Sequence, residues 1–198
     1  MTSTAPPRFD AKKDLPCYRA RRGRFDLLDV PPMRFLQVDG QGDPNTAPAY
    51  EAALKALYPL AYRLKFHSKR ELGRDYVVPP LEALWWAEDM DAFTSRRDKQ
   101  RWQWRMMLMT PDWITDADVD AVREGSTVRW ESFDEDRCLQ TLHVGPYDEE
   151  GPVLERMHHE VIPSRGLTMT GRHHEIYLGD PRRAAPERLR TILRQPVL

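Results

Sequence analysis

The chain is poor in cysteine, and its two thiols, Cys17 and Cys138, lie far apart. That excludes a disulfide framework and a CxxC metal or redox motif, and it makes a reducing cytoplasm the simplest expected location. Long apolar runs are missing as well. None approaches the roughly 18 residues of a membrane span, and the N-terminus "MTSTAPPRFDAKKDLPCY" lacks a signal-peptide core. Net charge is almost absent: 30 basic residues stand against 31 acidic ones, for a formal charge of −1. Such a balance argues against a general affinity for nucleic acid or anionic membrane. There is no GxSxG, no P-loop and no GxGxxG. The histidine pairs His158-His159 and His173-His174 lack metal-ligand spacing on one face, so neither metal nor cofactor is expected. Asp89, Asp91, Asp116, Asp118 and Asp120 read as solvated charges rather than a calcium loop.

What the chain does have is aromatic residues. Its six tryptophans and seven tyrosines include Trp85, Trp86, Trp102, Trp104, Trp113 and Trp130. Large rings build cores, but they also wall ligand clefts.

Element patterning predicts a mixed α+β domain. Residues 1–24 are polar, with a basic run from Arg19 to Arg24, and read as a loose arm before a single domain over 25–198. Met33 to Val38 is a predicted strand. From Ala47 the apolar spacing is helical, with Pro48 suited to the first turn and Pro59 predicting a kink or break. "LEALWW" follows as a strand behind Pro79-Pro80. "RWQWRMMLM" alternates with period two, as a half-buried strand does. Thr115 is an N-cap candidate for a short helix. Arg137 to Val144, a helix from about Asp148, the strand around "HHEIYLGDP" and a last strand "LRTILRQPV" complete the chain. Pro196 points to an edge position for the last strand.

The order strand, helix, strand, strand occurs twice, in halves of about 25–130 and 131–198. One constant shift carries Arg34 onto Arg137, Leu36 onto Leu139, Gln37 onto Gln140 and Gly42 onto Gly145. A second alignment sets "LEALWW" against "HEIYLG" and pairs Glu82 with Glu175. Two such βαββ units can share one antiparallel sheet, with both helices on one face and a cleft on the other, at the pseudo-twofold axis.

"VPPLEALWW", "KQRWQWRMMLMTPDWIT", "HVGPYDEE" and the tail "HHEIYLGDPRRAAPERLRTILRQPV" together resemble the GyrI-like small-molecule-binding family. That family is related to the effector domains of multidrug-sensing regulators of the BmrR and AraC types. The resemblance runs from about residue 20 to the C-terminus. It implies two tandem βαββ repeats of the SHS2 type, forming one antiparallel sheet with helices on one face and a central cleft. It also implies that the cleft takes flat, aromatic, often cationic molecules, and it maps the family's buried glutamate onto Glu175. Some stand-alone members resemble hydrolases that open the cyclopropane ring of DNA-alkylating natural products, and others associate with DNA gyrase.

Two environments fit Glu175: an exposed strand carboxylate paired with His173 or Arg172, or a carboxylate inside an aromatic pocket. In a pocket its charge is costly alone, so it favours a cationic ligand and can serve as acid or base. Tyr177, Trp86 and Trp104 are candidate stacking walls, with ordinary core packing as the alternative for each. Tyr147, where a strand gives way to a helix, fits a cleft rim and would polarise a substrate carbonyl. Tyr76 and Glu82 are weaker candidates of the same kind. The expected partners are therefore small lipophilic aromatic or cationic ligands. If the protein is an enzyme, Glu175 and Tyr147 are the expected catalytic pair.

Overall fold

Eight strands make one antiparallel sheet in the order β1-β6-β8-β7-β3-β4-β2-β5. They are β1 (Asp26–Val30), β2 (Met33–Gln41), β3 (Leu81–Trp86), β4 (Gln103–Thr110), β5 (Arg129–Phe133), β6 (Asp136–Val144), β7 (His173–Tyr177) and β8 (Arg190–Pro196). A computed structural model describes residues 7–87 and 99–198 of the protein. Asp89 and Asp91, read above as loop charges, lie outside the described residues.

The internal repeat is real and carries one strand more per half than expected, β1 in the first and β5 in the second. Asp26 pairs with Gln140, and Gln37 with Arg129. The shift that carries Arg34 onto Arg137 carries Asp26 onto Arg129 and Gln37 onto Gln140, so each pair is the image of the other. Each leading strand crosses to the far edge of the other half. Only Pro31-Pro32 joins β1 to β2, and only Asp134-Glu135 joins β5 to β6. Links this short span roughly 10 Å, yet they connect opposite ends of the sheet. The sheet therefore curls and brings the linked strand ends near each other, without its edge strands β1 and β5 pairing, and the pseudo-twofold axis runs between β3 and β7.

The outer face carries the main helices. α1 (Ala11–Asp14) is a single turn in the N-terminal segment, and α2 (Pro48–Glu71) is the long helix. Ala53, Leu57, Leu60 and Ala61 of α2 bury against Leu36, Ala83, Trp104, Met106 and Leu108. Pro59 does not break α2. It and Lys55, whose carbonyl loses its donor, both lie on the exposed side, where water can substitute. α3 (Asp116–Asp120) starts at Thr115 with a reciprocal capping box to Asp118. In the second half α4 (Gly151–Arg156) passes through a π turn, Met157–Val161, into α5 (Ile162–Ser164). Met157 and Ile162 pack on Leu139 and Leu193.

The inner face is filled by the N-terminal segment. Ala11, Cys17 and Tyr18 bury with Leu84, Met107, Ile176 and Ile192. Ala11, Cys17 and Tyr18 of the segment expected to be loose are thus core, while residues 12–14 and 21–24 stay exposed, because the curled sheet leaves an apolar interior that the outer-face helices do not cover. A second correction concerns β8, which is central rather than an edge, lying between β6 and β7. Pro196 is tolerated because the β7 ladder ends at Arg194, before the proline.

Candidate functional site

Alternation along β7 decides which face each side chain sees. His174 and Ile176 are buried in the interior, so His173, Glu175 and Tyr177 face outward, towards the helices. Glu175 and its outward neighbours therefore lie on the helix face, between α2 and the α4–α5 segment, and we call this candidate site the crevice. The opposite face is occupied by Tyr18 and its neighbours.

Glu175 stands at the centre of this group. Its side chain is 13% exposed. The Tyr177 hydroxyl donates to Glu175 Oε2 at 2.6 Å and accepts from Trp85 Nε1 at 3.1 Å. Burial, with the Glu175 charge adding, pushes the Tyr177 phenol well above its ordinary value, so it remains the donor. His173 Nε2 lies 3.4 Å from Glu175 Oε1. Around this centre stand Tyr147, whose ring is 5.4 Å from that of Tyr177, and His158, 6.0 Å from His173. Burial, with Glu150 and Glu175 adding, pushes Tyr147 up to about 12. Burial and the neighbouring His173 bring His158 down to about 4, so it is neutral at physiological pH. Tyr50, in the first turn of α2, is pushed up by burial and by Glu175. Its ring packs edge-on at 5.5 Å from Trp104. Trp102 packs edge-on against Trp85 at 5.7 Å.

The sequence candidates divide between these two environments. Glu175, Tyr177 and Tyr147 come together in the crevice. Trp86 does not: the register sets Ala83 opposite Glu175, which turns Trp85 outward and Trp86 inward. Trp86 instead lies under the Arg172 guanidinium at 3.6 Å and donates to Gln103 at 2.6 Å. Trp104 is outward but 0% exposed. It is wedged beneath Gly40, where a Cβ would come within 2.0 Å of its ring, and it is core. Tyr76 is buried with Leu64, Ile114 and Val119, away from Glu175.

Glu82 pairs in register with Ile176, not with Glu175, and points into the interior. There it joins a fully buried charge cluster. The Tyr18 hydroxyl donates to Glu82. His174 Nε2 is 3.0 Å from Glu82 Oε2, and His174 Nδ1 is 2.9 Å from Glu135 Oε1. Arg194 Nη1 donates to Glu135 at 2.6 Å, and Nη2 donates to the Cys17 carbonyl at 2.6 Å. Two carboxylates thus face two cations, as burial requires. Burial alone would lower His174, but Glu135 and Glu82 outweigh it and raise His174 to about 9. Burial works against the Glu135 charge too, yet His174 and Arg194 hold that carboxyl at about 2. Because His174 sits between His173 and Glu175, the cluster fixes the strand that presents the crevice carboxylate.

Sequence reasoning missed Trp85, Tyr50 and His158, and named His173 only as a surface partner. His173 was legible, since it lies two residues before Glu175 on one strand. His158 was not, because its aim depends on a π turn, a rare feature that often marks functional sites. Among the described residues no group of three or more metal-ligating side chains comes together. No described helix is long and apolar enough to cross a membrane.

The antiparallel sheet and its two related halves are those of a small-molecule-binding domain. The chain belongs to the GyrI-like small molecule binding domain family, whose profile matches residues 24–198. An uncharacterized conserved protein from Listeria innocua is 38% identical, with a TM-score of 0.87 over 96% of this chain and 100% of that one. A hydrolase from Listeria innocua is 36% identical, with a TM-score of 0.84 over 97% of this chain and 100% of that one. The EcmrR C-terminal domain shares the fold at 10% identity, with a TM-score of 0.57 over 88% of this chain and 97% of that one. No curated protein sequence matches the chain.

Proposed function

We propose that this protein binds flat, aromatic, cationic small molecules in the helix-face crevice, with Glu175 supplying the counter-charge. One observation carries the reading. Glu175 is nearly buried, and its neighbours among the described residues are a phenol and an imidazole rather than a fixed cation. A carboxylate in that position costs free energy that a cationic ligand offsets. Tyr177, Tyr147, Trp85 and Tyr50 offer ring faces and edges to a planar ligand, each cation–π contact contributing about 0.5–2 kcal/mol. One charge and several rings impose few directional demands, so specificity is broad.

The test is a fluorescence titration with rhodamine 6G, repeated with Glu175→Gln. Binding at micromolar concentration that weakens at least tenfold, about 1.4 kcal/mol, is expected. Equal affinity in the two proteins would remove Glu175 from the site.

A second reading is hydrolysis, favoured by the polar groups that surround Glu175. Opening a cyclopropane ring in a DNA-alkylating natural product needs an activated water and a polarised carbonyl. Glu175, with His173 at 3.4 Å, would take the water's proton, and the Tyr147 hydroxyl would donate to the carbonyl. The 36% identical neighbour named a hydrolase lends weight to this chemistry. Chromatography of such a substrate after incubation decides it: a bound but intact compound rules out turnover. Gyrase association ranks third, and cytoplasmic location stays part of the proposal.

A further inference from the structure

We propose that a cavity beside the β5–β6 link holds a second ligand site, for a planar carboxylate monoanion taken by Arg172. A cavity of about 310 Å³ lies there on the inner face, on the other side of the sheet from Glu175. Leu84, Phe133 and Pro196 give it apolar walls, and Arg105, Arg172 and Thr170 add polar ones. Its volume is that of a small-molecule pocket.

The charges decide the ligand. Most of those at the cavity are already satisfied. Arg105 is bidentate to Asp39, at 2.6 and 3.1 Å. Glu135 is matched by Arg194 and His174. Arg172 differs, for among the described residues no carboxylate stands at ion-pair distance from it. Its guanidinium is instead held flat on the Trp86 ring at 3.6 Å. Burial and the nearby Arg105 work against its charge, and the Asp39 carboxylate, already engaged by Arg105 and Arg129, offsets them only in part. A half-buried guanidinium that is fixed by a ring and faces a like charge is pre-organised for a planar, bidentate acceptor. Asp134, exposed at the rim and accepting from the Asp136 amide at 3.1 Å, limits the anion to low charge. The apolar walls suit a flat hydrocarbon body.

The experiment is calorimetric titration of the full chain with 2-naphthoate and its neutral isostere 2-naphthamide. Wild type binds the acid, and the amide binds at least tenfold more weakly. Arg172→Met weakens the acid at least tenfold, Arg172→Lys by less, and Asp134→Asn strengthens it. Glu175→Gln leaves it unchanged, which separates this site from the helix-face crevice. Circular dichroism melts of the variants verify folding. No binding by wild type, equal binding of acid and amide, or undiminished binding by a folded Arg172→Met protein overturns the proposal. Loss of binding in Glu175→Gln would place the naphthoate in the other crevice and overturn it too.

Discussion

Raising the pH from 6.5 to 8.5 should destabilise this protein through one buried imidazole. His174 is raised from 6.5 to about 9 in the folded chain, against the pull of burial, by Glu135 at 2.9 Å and Glu82 at 3.0 Å. Unfolding releases it to its ordinary value. Between those two values the native state keeps a proton that the unfolded state has lost, so stability falls as pH rises. The whole effect, fully present below 6.5, is about 3 kcal/mol at 1.36 kcal/mol for each unit of pKa, and about 2 kcal/mol of it disappears between pH 6.5 and 8.5. Other groups do not imitate this. His158, lowered to about 4, acts in the opposite sense and below 6.5. Cys17 and Cys138, raised by burial from 9.0, act mainly above that range. Urea unfolding at pH 6.5, 7.5 and 8.5 reads the change as a falling midpoint at constant slope. His174→Gln starts lower, by about 3–5 kcal/mol for breaking a buried ion cluster, and its midpoint is flat across the same range. A wild-type midpoint that holds steady to pH 8.5, or an equal fall in His174→Gln, would refute a protonated His174 as the keystone of the cluster.

Further predictions rest on single contacts. Gly40→Ala places a Cβ 2.0 Å from the Trp104 ring, and the resulting overpacking costs about 1–3 kcal/mol, measurable as a lowered thermal midpoint. Tyr18→Phe removes the hydroxyl that donates to buried Glu82. The expected loss is about 1.5–3 kcal/mol with rhodamine affinity unchanged, since Tyr18 lies on the inner face. Tyr177→Phe leaves both Glu175 and the Trp85 N–H without their shared hydroxyl. Rhodamine binding should change several-fold in either direction, and an unaltered titration would show that this hydroxyl has no part in the crevice.

Several features were legible in the residues alone. The repeat follows from matched positions such as Gln37 and Gln140, and the Thr115 cap from its place ahead of a short helix, although Asp118, read as a solvated charge, is buried as its capping partner. Period-two alternation puts Glu175 and Tyr177 on one face of a strand wherever that strand lies. These are local rules, acting over one or two turns or one pleat. Other assignments hang on contacts between residues far apart in the chain. Alternation says that Trp85 and Trp86 face opposite ways, but only the pairing of Ala83 with Glu175 says which one joins the crevice. A slip of one residue in that register would reverse the answer and would exchange Glu82 with its neighbours. The exchanged edge strands, and with them the curl that makes an interior, depend on how the halves meet. So does the burial of Tyr18, whose polar surroundings look like those of a free arm until a sheet closes around it. Sequence therefore determined six of the eight strands, the long helix, the repeat and the opposite facing of Glu175 and His174. Tertiary structure alone decided which side is the crevice, which rings line it and which charges are sealed beneath it, because faces become inside or outside only when distant strands pair.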